Sequence, residues 1–96
     1  MDRKLYMNSL YDYYGELLTK KQKEYFEEYY FRDFSLGEIA INMGVSRNAV
    51  YNQLKNTEEK LEFFERVLRL YNRGIKIRRL IRNLDEETIA KIEELI

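Results

Sequence analysis

Ser35-Leu36-Gly37-Glu38-Ile39-Ala40-Ile41-Asn42-Met43-Gly44-Val45-Ser46-Arg47-Asn48-Ala49-Val50-Tyr51-Asn52-Gln53-Leu54-Lys55 is the stretch that decides the fold. Ser35 followed three residues later by Glu38 is a capping box, in which each side chain accepts a hydrogen bond from the other residue's backbone N–H. Phe34 and Ile39 flank that cap as a hydrophobic staple, and Leu36, Ile39 and Ala40 supply the inward face of a short helix. Gly44 then offers a left-handed turn position that a residue with a Cβ resists. Ser46 caps the next helix, with Val45 and Val50 as its staple. Two short helices joined by a tight turn are a helix-turn-helix. In such a unit the second helix enters the major groove, so its outward residues must be able to hydrogen-bond. Val50 and Leu54 point to the core, which leaves Arg47, Asn48, Tyr51, Asn52 and Lys55 projecting outward. Arg suits a guanine edge, Asn an adenine edge and Lys a phosphate.

Upstream, residues 4 to 18 place Tyr6, Leu10, Tyr13 and Leu17 at helical spacing, widened by Met7, Tyr14 and Leu18. Thr19 and Gln22 form another capping box, which starts a second helix running to about Phe31. Its expected inward residues are Tyr25, Phe26, Tyr29 and Tyr30. Downstream, no breaker follows Ser46 until Gly74, which predicts a fourth helix of roughly 27 residues and about 40 Å. Leu54, Thr57, Leu61, Phe64, Leu68 and Tyr71 make a heptad-like seam along it. Phe63, Val67 and Leu70 form a second apolar line, so the distal half needs cover from the first helix or from another copy of the chain. Leu61, Phe64, Leu68 and Tyr71 are the candidate dimer or partner seam. A short basic helix with Ile77, Leu80, Ile81 and Leu84 inward is expected after Gly74. Asp85 then caps a last helix, with Ile89, Ile92 and Ile96 inward.

The expectation is therefore one all-α domain over residues 1–96, with a core in residues 5–72, a long fourth helix and short C-terminal helices over 75–96. The chain has no proline and four glycines, so few positions force a helix to break. Cysteine and histidine are absent, which removes thiolate and imidazole nucleophiles, bases and metal ligands. The carboxylates scatter at solvating spacings. No catalytic residue, metal site or cofactor is expected, and the chain does not read as an enzyme. No stretch is apolar enough for a membrane span and no signal peptide opens the sequence, which points to the cytoplasm and to no membrane partner.

The formal net charge is zero, but it is unevenly distributed. Residues 71–84 carry Arg73, Lys76, Arg78, Arg79 and Arg82 without an acid, a sum of +5. Residues 85–96 carry Asp85, Glu86, Glu87, Glu93 and Glu94 against Lys91, a sum of −4. The basic segment is a second candidate surface, for RNA phosphates. On the helix after Ser46, only Arg47 and Lys55 are basic before Glu58, Glu59 and Glu62 add acid.

The residues from Ser35-Leu36-Gly37-Glu38-Ile39-Ala40 through Val45-Ser46-Arg47-Asn48-Ala49-Val50-Tyr51 resemble the helix-turn-helix of region 4 of bacterial sigma factors. Leu18-Thr19-Lys20-Lys21-Gln22 is similar to the start of the preceding helix in that region. A sigma factor also needs a domain that melts and reads the −10 element, for which no room is expected here. Over residues 5 to about 72 the chain more closely resembles the YlxM-like family of small bacterial helix-turn-helix proteins. Tyr13-Tyr14 before Leu17-Leu18-Thr19, Tyr29-Tyr30 before Asp33-Phe34-Ser35-Leu36, and Val45-Ser46-Arg47 with Ala49-Val50-Tyr51 carry that resemblance. It implies a regulatory role near the signal recognition particle, on its RNA, its GTPase, or transcription of its genes. Three readings stand at this point: a DNA or particle-RNA binder working through Arg47 to Lys55, a protein-interaction module for the targeting GTPase or a homodimer, and an RNA contact on the basic segment.

Overall fold

The computed structural model describes residues 2–96, and its element order is all helical. Helix α1 (Arg3–Tyr14) is followed by one 3-10 turn over Gly15–Leu17. Helices α2 (Lys20–Tyr30), α3 (Leu36–Met43), α4 (Arg47–Leu68), α5 (Leu70–Ile81) and α6 (Glu86–Glu93) complete the chain. Both expected capping boxes form, Thr19 with Gln22 and Ser35 with Glu38. Ser46 and Asp85 accept from the N–H groups of Ala49 and Thr88. Gly44 sits at φ 68°. Its N–H and that of Val45 reach back to the carbonyls of Ile41 and Ala40, closing α3 with a Schellman motif.

The core forms two clusters strung along α4. Near the start of α4, Val50 and Leu54 bury themselves against Tyr25, Ile39 and Ala40, with the staple residues Phe34 and Val45 packed alongside. Further along, Leu61 joins Met7, Leu10, Tyr14, Leu18, Phe26 and Tyr30. Tyr25 and Phe26 lie about 100° apart on α2, so that helix contributes to both clusters. The second cluster is aromatic. Tyr11 stacks on Phe26 at 4.4 Å between ring centroids, Phe26 on Tyr30 at 4.3 Å, and Phe31 meets the edges of Tyr11 and Phe26. Thr57, fully buried on the seam of α4, returns its hydroxyl to the Gln53 carbonyl at 2.8 Å, so its burial leaves no donor unmet.

Several expectations are corrected. The fourth helix ends at Leu68 because Arg69 adopts a left-handed conformation at φ 58°, and α5 then runs straight through Gly74. Gly74 is thus no breaker. A Cβ there would lie 2.8 Å from the Tyr13 hydroxyl oxygen and 2.9 Å from Ile96 Cγ2, so glycine permits α1 and the C-terminus to approach α5. Of the candidate partner seam, Leu61 is fully buried and Phe64 and Tyr71 pack on the same cluster, so α1 supplies the cover within the chain; Leu68 alone of the four is exposed. Leu17 is 53% exposed because α1 stops at Tyr14 and the 3-10 turn rotates it outward. Ile77, Leu80 and Leu84, expected inward, are exposed, since neither buried cluster extends along the chain beyond Tyr71.

A non-glycine break between two helices needs support, and it comes from one buried carboxylate. Arg69, the N-cap position of α5, makes no side-chain capping bond. Glu65 takes that role. Its Oε1 accepts from the Tyr71 N–H at 3.1 Å and its Oε2 from the Asn72 N–H at 3.1 Å. The Tyr14 hydroxyl donates to Glu65 Oε1 at 2.6 Å and accepts from the Leu70 N–H at 3.0 Å. Three orphan N–H groups of α5 are thereby satisfied by α4 and α1 side chains.

Two outcomes follow. Burial and the bond to Glu65 push the Tyr14 phenol up to about 12. Its ordinary value is near 10, and a raised folded value means that the stabilisation is complete below pH ~10 and is lost as pH climbs through ~12. Urea melts across pH 8 to 12 should show this loss, and Tyr14→Phe should remove its Tyr14 component while costing about 1–3 kcal/mol at neutral pH by orphaning Leu70 N–H. Gly44→Ala should cost about 1–2 kcal/mol in the same melts through its positive φ, and Gly44→Asn less.

Candidate nucleic-acid interface

The turn at Gly44 and the cap at Ser46 fix the direction in which α4 leaves α3, and with it the face that α4 shows to solvent. Arg47, Asn48, Tyr51, Asn52 and Lys55 are all exposed, while Val50 and Leu54 between them are buried. The five residues expected to project outward share one face over two helical turns. From Arg47 to Lys55 the rise is about 12 Å, matching the width of a B-form major groove.

Tyr51 and Lys55 also line a cleft of about 540 Å³ closed on its other sides by Arg3, Tyr29, Leu36 and the acids of α4. Tyr29 was expected in the core, yet it is 36% exposed here. Tyr29 follows Tyr25 by one helical turn just as Tyr30 follows Phe26, so helical spacing did not separate them; Tyr30 is buried in the aromatic cluster while Tyr29 lies at the cleft. Arg3 carried no sequence signal, being a terminal residue far along the chain from its partners. It donates to Glu62 at 2.9 Å and lies 3.7 Å from Glu58. Tyr30 donates its hydroxyl to Glu58 as well, and burial together with that bond pushes the Tyr30 phenol up. Two of the three acids beyond Lys55 are thus tied into the fold. Glu59 stays exposed.

The basic segment is arranged differently. Arg73, Lys76, Arg78, Arg79 and Arg82 are all exposed on α5 or just after it. Among the described residues, Arg78 is the member of this group that forms an ion pair, with Glu93 of α6 at 3.9 Å. The structure therefore keeps the two basic surfaces apart, one at the start of α4 and one beyond its end. No group of three or more acidic, His or Cys side chains among the described residues could hold a metal ion. No helix among them is long and apolar enough to cross a membrane.

A sequence profile described as "Putative helix-turn-helix protein, YlxM / p13 like" matches residues 1–96. The chain belongs to this family. Among YlxM / p13-like relatives, the UPF0122 protein Teth514_1714 of Thermoanaerobacter sp. strain X514 is 46% identical over 104 residues, covering 95% of this chain and 88% of the relative. The UPF0122 protein BH2485 of Halalkalibacterium halodurans is 45% identical over 98 residues, covering 100% of this chain and 90% of the relative. A UPF0122 protein of Limosilactobacillus reuteri reaches 57% identity over 65 residues, covering 68% and 58% of the two chains.

Glu38 offers a check on the motif that does not depend on any ligand. Hydrogen bonds from the Ser35 N–H and hydroxyl hold its carboxyl below the ordinary carboxylate value. A lowered folded value means that this stabilisation is present above pH ~4.5 and is lost as pH falls through the folded value. Glu38→Gln, which keeps the capping-box geometry, should flatten the acid side of the stability profile between pH 5 and 2 in thermal melts.

Proposed function

We propose that this YlxM / p13-like protein is a small cytoplasmic regulator that binds nucleic acid through the N-terminal half of α4. The carrying observation is the exposure of Arg47, Asn48, Tyr51, Asn52 and Lys55 on one face directly after a capped, glycine-bearing turn. Duplex DNA is the substrate class that this geometry favours. A helix fits the wide major groove of B-DNA, whereas the deep, narrow major groove of A-form RNA excludes it. Arg47, Asn48 and Asn52 would read base edges, and Lys55 would meet a phosphate. The acids that follow Lys55 confine the contact to the first two turns. The resemblance of residues 5 to about 72 to the YlxM-like proteins extends the proposal to regulation of the signal recognition particle pathway, where particle RNA and the targeting GTPase are the competing partners. The second reading, a scaffold motif that contacts that GTPase, draws its support from Glu58, Glu59 and Glu62 beside the would-be DNA face.

Fluorescence anisotropy with duplex DNA, particle RNA and the GTPase across a salt series separates these readings. Binding of duplex DNA with a log–log salt slope of about −2 is expected, from roughly two neutralised phosphates per chain. Arg47→Ala and Lys55→Ala should each weaken binding, while Glu59→Gln should tighten it by roughly two- to fivefold through loss of one exposed like charge. A flat salt response with DNA and RNA, unchanged by Arg47→Ala or Lys55→Ala, would remove the nucleic-acid proposal and leave the GTPase contact.

A further inference from the structure

The hairpin of α5 and α6 carries an apolar strip that the chain does not cover. On α5, Leu70 and Ile77 lie seven residues apart and Leu80 follows Ile77 by three, the spacing of a two-helix seam, and Leu84 follows in the turn after the helix. Their exposures are 39%, 36%, 83% and 48%. Phe63 and Val67, 49% and 60% exposed, share one face of the end of α4. The chain is also extended, with a radius of gyration of 16.3 Å and a long axis of 51 Å, where a compact chain of this length has a radius near 12.5 Å.

We infer that this strip is the dimer interface, and that its occupant is the α5–α6 hairpin of a second copy of the same chain. Charge chooses the occupant. The strip lies beside the +5 segment, and the −4 segment is on the same hairpin. Among the described residues Arg73, Lys76, Arg79 and Arg82 form no ion pair, nor do Glu86 and Glu94. A two-fold contact is self-complementary, so the basic α5 of one copy meets the acidic α6 of the other twice. RNA is the poorer fit, because Leu80 would face phosphates and the neighbouring acids would repel them. Along α5 the strip runs about 15 Å from Leu70 to Leu80 at helical rise, and Phe63 and Val67 flank it across the bend at Arg69. This surface differs from the Leu61, Phe64 and Tyr71 line, which α1 already occupies.

Analytical ultracentrifugation of the full chain over a micromolar concentration range tests the inference, with circular dichroism to confirm folding. A concentration-dependent dimer is expected. Leu80→Glu, at a position open enough to leave the fold intact, should weaken it by about tenfold or more. Two charge-swapped chains give the discriminating arm: Arg73→Glu with Lys76→Glu, and Glu86→Lys with Glu94→Lys. Each should be mainly monomeric alone, and an equimolar mixture should restore a dimer, since only the mixture pairs opposite charges at both contacts. A wild-type chain that remains monomeric, a dimer indifferent to Leu80→Glu, or folded swap chains that fail to recombine would each overturn the inference. The same holds if the wild-type chain is monomeric and binds duplex RNA in a manner abolished by Arg73→Glu with Lys76→Glu.

Discussion

The bend between α4 and α5 depends on one buried carboxylate. Glu65 is 8% exposed and forms no ion pair among the described residues; its charge is compensated by two backbone N–H groups and one phenol. Hydrogen bonds to an ionised acceptor are the stronger kind, and here they converge where Arg69 has left the helical path. The left-handed residue alone would leave the first N–H groups of α5 without acceptors. The Tyr14–Glu65 pair alone would have no helix start to cap. Together they make the bend a fixed element rather than a hinge, and they tie it to α1, because Tyr14 comes from 51 positions earlier in the chain.

That bend determines what each part of α4 can do. Without it, α4 and α5 would run on as one rod, and Tyr71 could not turn back to meet the edge of Tyr6 at 5.4 Å. With it, one face of the distal half of α4, at Leu61 and Phe64, is covered by α1 and α2, and the proximal half is left to α2 and α3. The helix-turn-helix is thus held by the smaller cluster of Tyr25, Ile39, Ala40, Val50 and Leu54, while most of the aromatic area lies in the other. Aromatic side chains bury about 150–250 Å² each, so the aromatic cluster is the stronger support. The rigid body of α4 transmits that support to the turn at Gly44.

How much of this was legible in the sequence follows the distance over which each feature is determined. The capping boxes at Thr19 and Ser35, the staples, the Gly44 turn and the outward set from Arg47 to Lys55 are local patterns of four to nine residues, and the structure reproduces them. The break at Arg69 was not legible, because arginine carries no left-handed preference and its cause lies in the packing of Tyr14 and Glu65. Tyr29 was misplaced because it shares its helical face with the buried Tyr25, and where that face leaves the core is decided by packing rather than by spacing. Ile77, Leu80 and Leu84 show a subtler limit. Their periodicity correctly marks an apolar face, but periodicity says that a face needs cover and not which molecule provides it. The roles of Arg47 to Lys55 and of the basic segment lie in the same category, since exposure establishes access and leaves the partner to be found by measurement.

The charge distribution connects the two surfaces. With only Arg47 and Lys55 basic on its recognition face, one copy neutralises about two phosphates, and raising salt from 50 to 200 mM then weakens binding by about tenfold. Two copies held together would neutralise about four, with a salt penalty of about a hundredfold and a correspondingly larger electrostatic gain at low salt. On α4, Glu58 and Glu62 are committed to Arg3 and Tyr30, which limits how far basic charge can extend beyond Lys55. Valency is a further route. It requires an interface away from α4's first turns, and the α5–α6 hairpin lies beyond the opposite end of that helix, where a second copy would leave both recognition faces free.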